Sequence, residues 1–106
     1  MSGRLPQLLA FLAKDPGDPF IYYGLALEYQ SMGNSAEAEA YFTTLVTDFP
    51  DYIPTYLMFA QLLAEQGRKD EAKSILQNGI NKGKAAKEMH AVSEMNELLE
   101  DLEEGN

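Results

Sequence analysis

Residues 20–33 read FIYYGLALEYQSMG, and residues 54–67 read PTYLMFAQLLAEQG. Laid over each other at a distance of 34 residues, the two stretches share a pattern of types that continues past both ends. Tyr22, Leu25, Ala26, Tyr29, Gly33, Ala38, Phe42, Leu45 and Pro50 recur as Tyr56, Phe59, Ala60, Leu63, Gly67, Ala72, Leu76, Gly79 and Lys84. Seven of these nine pairs keep their type; Leu45/Gly79 and Pro50/Lys84 do not. A period of this length with a glycine in mid-unit is the mark of a helix-turn-helix unit copied in tandem.

Local signals place the helices. Leu5 to Lys14 is apolar on a wide side through Leu8, Leu9, Phe11 and Leu12, and opens on Pro6. Asp15-Pro16-Gly17-Asp18-Pro19 stops it, and Asp18 then supplies an N-cap with Pro19 at the first helical position. The next helix reaches about Met32 and ends at Gly33, a residue suited to the left-handed conformation. Asn34 caps the following helix, with Glu37 as its reciprocal capping-box partner; Phe49-Pro50-Asp51 breaks that helix after about Asp48. In the second copy Pro54 opens a helix that Gly67 ends, and the next helix runs from about Lys69 to Lys82 with Gly83 as punctuation. A last helix from about Ala85 to Leu102 carries Met89, Val92, Met95, Leu98, Leu99 and Leu102 along one side. Six helices joined by loops of about two to five residues make antiparallel neighbours. No stretch reads as strand.

The unit resembles a tetratricopeptide repeat. Tyr22, Leu25-Ala26 and Tyr29, then Tyr56, Phe59-Ala60 and Leu63, match the family's bulky, large-small and bulky positions in the first helix of a pair. Gly33 and Gly67 match its turn glycine, Ala38 and Ala72 its small residue, Phe42 and Leu76 the bulky residue that follows, and Pro50 its closing proline. The resemblance implies an all-α, short right-handed superhelical solenoid of about six antiparallel helices with a C-terminal capping helix. Small residues stand where two helix backbones cross closely, so Ala26, Ala38, Ala60 and Ala72 are the expected contact points. Subtracting one period from Phe42, Leu45 and Pro50 leads to Leu8, Phe11 and Pro16, so the first helix resembles the second half of a preceding unit. Adding one period to Tyr56, Phe59 and Leu63 leads to His90, Ser93 and Glu97, so the last helix abandons the register. The expected organisation is one domain over 1–106: a half-repeat helix at 5–16, repeats at 19–52 and 53–84, a capping helix at 85–103 and a tail at 104–106. The period stops at both ends, which predicts a short closed solenoid. Gly79, mid-helix, calls for close approach of the capping helix to offset about 1 kcal/mol of lost helix propensity.

Composition narrows the function. A hydrophobic fraction of 45% is that of a folded chain. There is no cysteine, so disulfides and thiolate metal sites are ruled out. His90 is the one histidine, and no ligand spacing surrounds it, so no metal is expected. No phosphate-binding glycine loop or catalytic constellation stands out, and the reading is a non-enzymatic protein without a cofactor. The net charge of −9 repels nucleic acid and anionic membrane. No run of about 18 apolar residues is present and no leader pattern opens the chain, so a cytoplasmic location is expected. From Lys87 to Asn106 seven acids face one lysine. A solvated helix face is the plain reading of that run, and a basic partner the sharper one.

The family implies a concave groove lined by the first helix of each pair and used to bind another protein or peptide. The groove positions here are Phe20, Tyr23, Leu27 and Gln30, then Leu57 and Gln61. One branch of the family grips a C-terminal carboxylate with cations at such positions; Tyr23, Leu27, Leu57, Gln61, Glu88 and Val92 stand there instead, so that mode is not expected. Three readings remain open. The groove binds an apolar or helical segment of a partner; or these residues are core beneath the terminal helices; or the chain is a structural homodimer through an apolar patch of Met95, Leu98 and Leu102 on the last helix.

Overall fold

The computed structural model describes residues 3–105. Met1, Ser2 and Asn106, the last of these within the expected tail 104–106, lie outside the described residues. Six helices follow in order: α1 Leu5–Lys14, α2 Pro19–Ser31, α3 Ser35–Asp48, α4 Pro54–Glu65, α5 Lys69–Ala85 and α6 Met89–Glu104. The described residues contain no strand, and the fold is all-α. Two compact units divide between Tyr52 and Ile53, at the border between the sequence copies.

In the first unit α2 and α3 pack as an antiparallel pair and α1 lies against α2. Ala26 and Ala38 are wholly buried beside Leu25, Phe42 and Leu45, as small residues at a close crossing should be. Leu8 and Ile21 join Leu25 in a cluster flanked by Leu5, Leu12, Tyr29 and Tyr41. Gly24 lets α1 approach: a Cβ there would stand 3.1 Å from Leu8 Cδ2. The wide apolar side expected for α1 is narrower in fact. Leu5, Leu8 and Leu12 face α2, whereas Leu9 is exposed and Phe11 is 54% exposed. Phe11 therefore does not take the buried place that its repeat counterpart Leu45 holds. Within this unit α1 packs chiefly against α2, and one main contact buries one stripe.

Aromatic rings join α2 to α3. Tyr29 stacks on Tyr41 at 5.8 Å, and Tyr22 lies between Tyr41 and Phe49 at 6.3 and 5.4 Å. The Tyr22 hydroxyl donates to the Pro16 carbonyl at 2.7 Å and so ties down the α1–α2 loop.

In the second unit α5 packs against both α4 and α6, and α4 also touches α6. Ala60 and Ala72 are fully buried, with Tyr56, Leu62, Leu63 and Leu76 around them. Gly79 answers the expectation placed on it. A Cβ there would overlap Tyr56 Cβ and fall 2.6 Å from Met95 Sδ, so α4 and α6 both close onto this bare stretch of α5.

The turns follow one rule. Gly33 and Gly67 both have φ of 77°. The amide after each glycine donates back to a helix carbonyl, Asn34 to Tyr29 and Arg68 to Leu63, both at 2.9 Å. The glycine amides donate to Gln30 and Ala64 at 3.0 Å, which completes a Schellman closure each time. Asp18 caps α2 by accepting from the Phe20 amide at 3.0 Å. Asn34 accepts from the Glu37 amide at 3.5 Å. The return half of the expected capping box is replaced, because the Asn34 amide is committed to Tyr29.

The expected stop at Gly83 is corrected. Helix α5 continues through Gly83 to Ala85, and α6 starts at Met89 and ends at Glu104. Gly83 is buried against α6, where a Cβ would lie 2.8 Å from Val92 Cγ2. The turn itself repeats the Schellman geometry without glycine. Lys87 takes φ of 61°, the Glu88 amide donates to the Gly83 carbonyl at 2.9 Å, and the Lys87 amide to Lys84 at 3.1 Å. His90, Ser93 and Glu97 are exposed, as the departure from register requires. Met89, expected on the apolar side of α6, is exposed as well.

Candidate functional site

The residues expected in the groove divide between the two units. In the first, Phe20 sits in the opening turn of α2 with 61% of its surface exposed. Tyr23, Leu27 and Gln30 are half-buried on the same helix. Tyr23 meets Tyr52 edge to face at 5.6 Å. Burial pushes both hydroxyls above the ordinary tyrosine range, with Tyr52 adding to the shift of Tyr23 and Asp18 to that of Tyr52. Both rings therefore stay neutral donors at any physiological pH. Tyr52 also lines a recess of about 370 Å³ with Pro19, Asp48, Phe49, Pro50 and Asp51.

In the second unit the geometry is more pointed. Leu57 and Gln61 lie one turn apart on α4 and are half-buried. They line a recess of about 230 Å³ whose other wall is α6, through Glu94, Glu97, Leu98 and Asp101. These four recur at intervals of three and four, which sets them on one face of α6. Two groove residues and one residue of the expected dimer patch thus share a single depression. The remainder of that patch is core: Met95 is 1% exposed and packs at Gly79, and Leu102 is 8% exposed. Of the apolar stripe of α6, Val92, Met95 and Leu102 are buried, with α4 and α5 packed against the helix.

Glu94, Glu97 and Asp101 were not among the residues that sequence reasoning placed at the site. Their spacing was visible, but a charged stripe does not say which helix lies beside it. The recess of the first unit was missed because Phe49-Pro50-Asp51 reads simply as a helix stop. No lysine or arginine lines either recess. His90, elsewhere on α6, stands 3.8 Å from Glu94 with its ring almost fully exposed. Among the described residues no group of three His, Cys, Asp or Glu is placed to hold a metal ion. No helix among them is long and apolar enough to cross a membrane.

A family model described as tetratricopeptide repeat matches residues 29–93, from the end of α2 into α6. The chain belongs to the tetratricopeptide repeat family. The crystal structure of a tetratricopeptide repeat domain protein from Salinibacter ruber is 31% identical, with 81% of this chain and 96% of that one covered and a TM-score of 0.78. A solution NMR structure of a tetratricopeptide repeat domain protein from the same organism is 32% identical, covers 84% and 90%, and gives a TM-score of 0.80. A protein from Bordetella parapertussis shares the fold alone, at 18% identity with a TM-score of 0.83 over 99% of this chain and 91% of that one. No curated protein matches the chain. Tetratricopeptide repeats serve in general as protein–protein interaction modules and non-catalytic scaffolds.

Proposed function

We propose that this tetratricopeptide repeat protein binds a segment of another protein by seating an apolar side chain in the recess between α4 and α6. The observation that carries this reading is the pairing of half-buried Leu57 and Leu98 across a depression of about 230 Å³. That volume lies below the roughly 300–1,000 Å³ of pockets built for small molecules. It suits one large side chain of a peptide, and a single anchor seated between two leucines is the kind of contact that dominates binding energy. Gln61 on the wall offers both a donor and an acceptor to the backbone of an extended or helical segment.

Peptides selected from a random displayed library against the protein should share an apolar anchor. Leu57→Ser combined with Leu98→Ser should weaken them by at least about tenfold, the scale of one lost anchor, while the far-ultraviolet circular dichroism stays helical. Selected peptides that bind this variant with unchanged affinity would overturn the reading.

A further inference from the structure

The same recess is as much charged as apolar: beside Leu57 and Leu98 it is lined by Gln61 and three acids. Its rim on α6 consists of Glu94, Glu97 and Asp101, and no cation lines it. Glu97 stands three residues from Glu94 and four from Asp101, so three carboxylates repel one another along one face of the helix. Among the described residues neither lysine nor arginine pairs with Glu97 or Asp101.

We infer that the segment received between α4 and α6 is cationic: an apolar anchor between Leu57 and Leu98, flanked by lysine or arginine side chains that meet Glu94, Glu97 and Asp101. This rests on the reading of the recess as the binding site. A lysine or arginine suits the place doubly, because its aliphatic stem can lie along Leu57 and Leu98 while its charged head reaches the rim. A neutral occupant leaves the three carboxylates in mutual repulsion, and an acidic one adds to it. The net charge of −9 steers a basic segment toward the molecule in addition, an effect that depends on salt.

The test uses three synthetic peptides with one Leu-x-x-Leu core and flanks of lysine, glutamine or glutamate, titrated by fluorescence anisotropy at low and at physiological salt. Two charge variants carry equal changes in net charge. Glu94→Gln, Glu97→Gln and Asp101→Asn together remove the rim; Glu100→Gln, Glu103→Gln and Glu104→Gln remove three acids of the same helix that do not line the recess. The leucine variant, Leu57→Ser with Leu98→Ser, serves as the third protein. The lysine peptide should bind about tenfold tighter than the glutamine peptide at low salt and lose most of that margin at physiological salt, since exposed charge pairs are each worth little and are screened. The rim variant should erase the margin, and the control variant should keep most of it. Equal affinity for lysine and glutamine peptides, with both lost in the leucine variant, overturns the charge inference and leaves the recess standing. An equal loss in both charge variants also overturns it, because the overall field rather than the rim is then responsible. If the leucine variant binds every peptide like the parent protein, the recess itself is wrong.

Discussion

At the scale of single residues, three turns share one geometry but not one residue type. Gly33 and Gly67 occupy the left-handed position at no steric cost, while Lys87 holds it with φ of 61°. A side chain in that region costs about 1–2 kcal/mol, partly offset by the lower chain entropy it brings to the unfolded state. Lys87→Gly should therefore stabilise the protein by about 0.5–1 kcal/mol in urea titrations. A glycine exchanged the other way within a helix behaves differently. Alanine is the better helix former by about 1 kcal/mol, so an exposed glycine in α5 would gain from the change. At Gly79 the new methyl would overlap Tyr56 Cβ, an atom next to the backbone that cannot swing aside. Gly79→Ala should lower stability by about 1–3 kcal/mol, the usual cost of overpacking; a rise in the urea midpoint would show that α4 and α6 separate without penalty.

At the scale of the helices, legibility followed the range of the signal. The starts of α2 and α3 were readable because Asp18 and Asn34 act on amides two and three residues away. The break between α5 and α6 was not. A glycine has two uses, to turn the chain or to admit a neighbour, and Gly83 has the second because Val92 lies against it. Nothing local marks Lys87 as the turn. The inward stripe of α1 was similarly unreadable, since Leu8, Leu9, Phe11 and Leu12 are alike in hydropathy and only the position of α2 separates them. Substitution can make the difference measurable. Leu8→Ala should cost about 2–3 kcal/mol and loosen α1, whereas Phe11→Gln should stay within about 0.5 kcal/mol. Hydrogen exchange of the α1 amides would report both.

At the scale of the molecule, the period of 34 residues led to half of the proposed site and stopped there. Leu57 and Gln61 follow from their place in the second copy. Glu94, Glu97 and Asp101 do not, because α6 leaves the register and the period no longer tells which of its faces meets α4. The charge they belong to has its own consequence for stability. With a net charge of −9 the folded chain repels itself. Raising the salt from about 10 to about 150 mM shortens the Debye length from ~30 to ~8 Å. The melting temperature should rise by about 2–4 °C, corresponding to ~0.5 kcal/mol, while affinity for the lysine-flanked peptide falls. Opposite signs in one buffer series separate the two roles of the same carboxylates; a melting temperature that falls with salt would contradict the repulsion argument. The turn at Lys87 bears on this in another way. Residues 84–90 are all exposed, and Lys87 is a trypsin cleavage point outside any helix. One cut after Lys87 leaves α6, with the entire acidic wall, attached by packing alone. A bound segment that touches both α4 and α6 would then act as a clasp, and the time for which the cut helix stays in place would become a clock for occupancy.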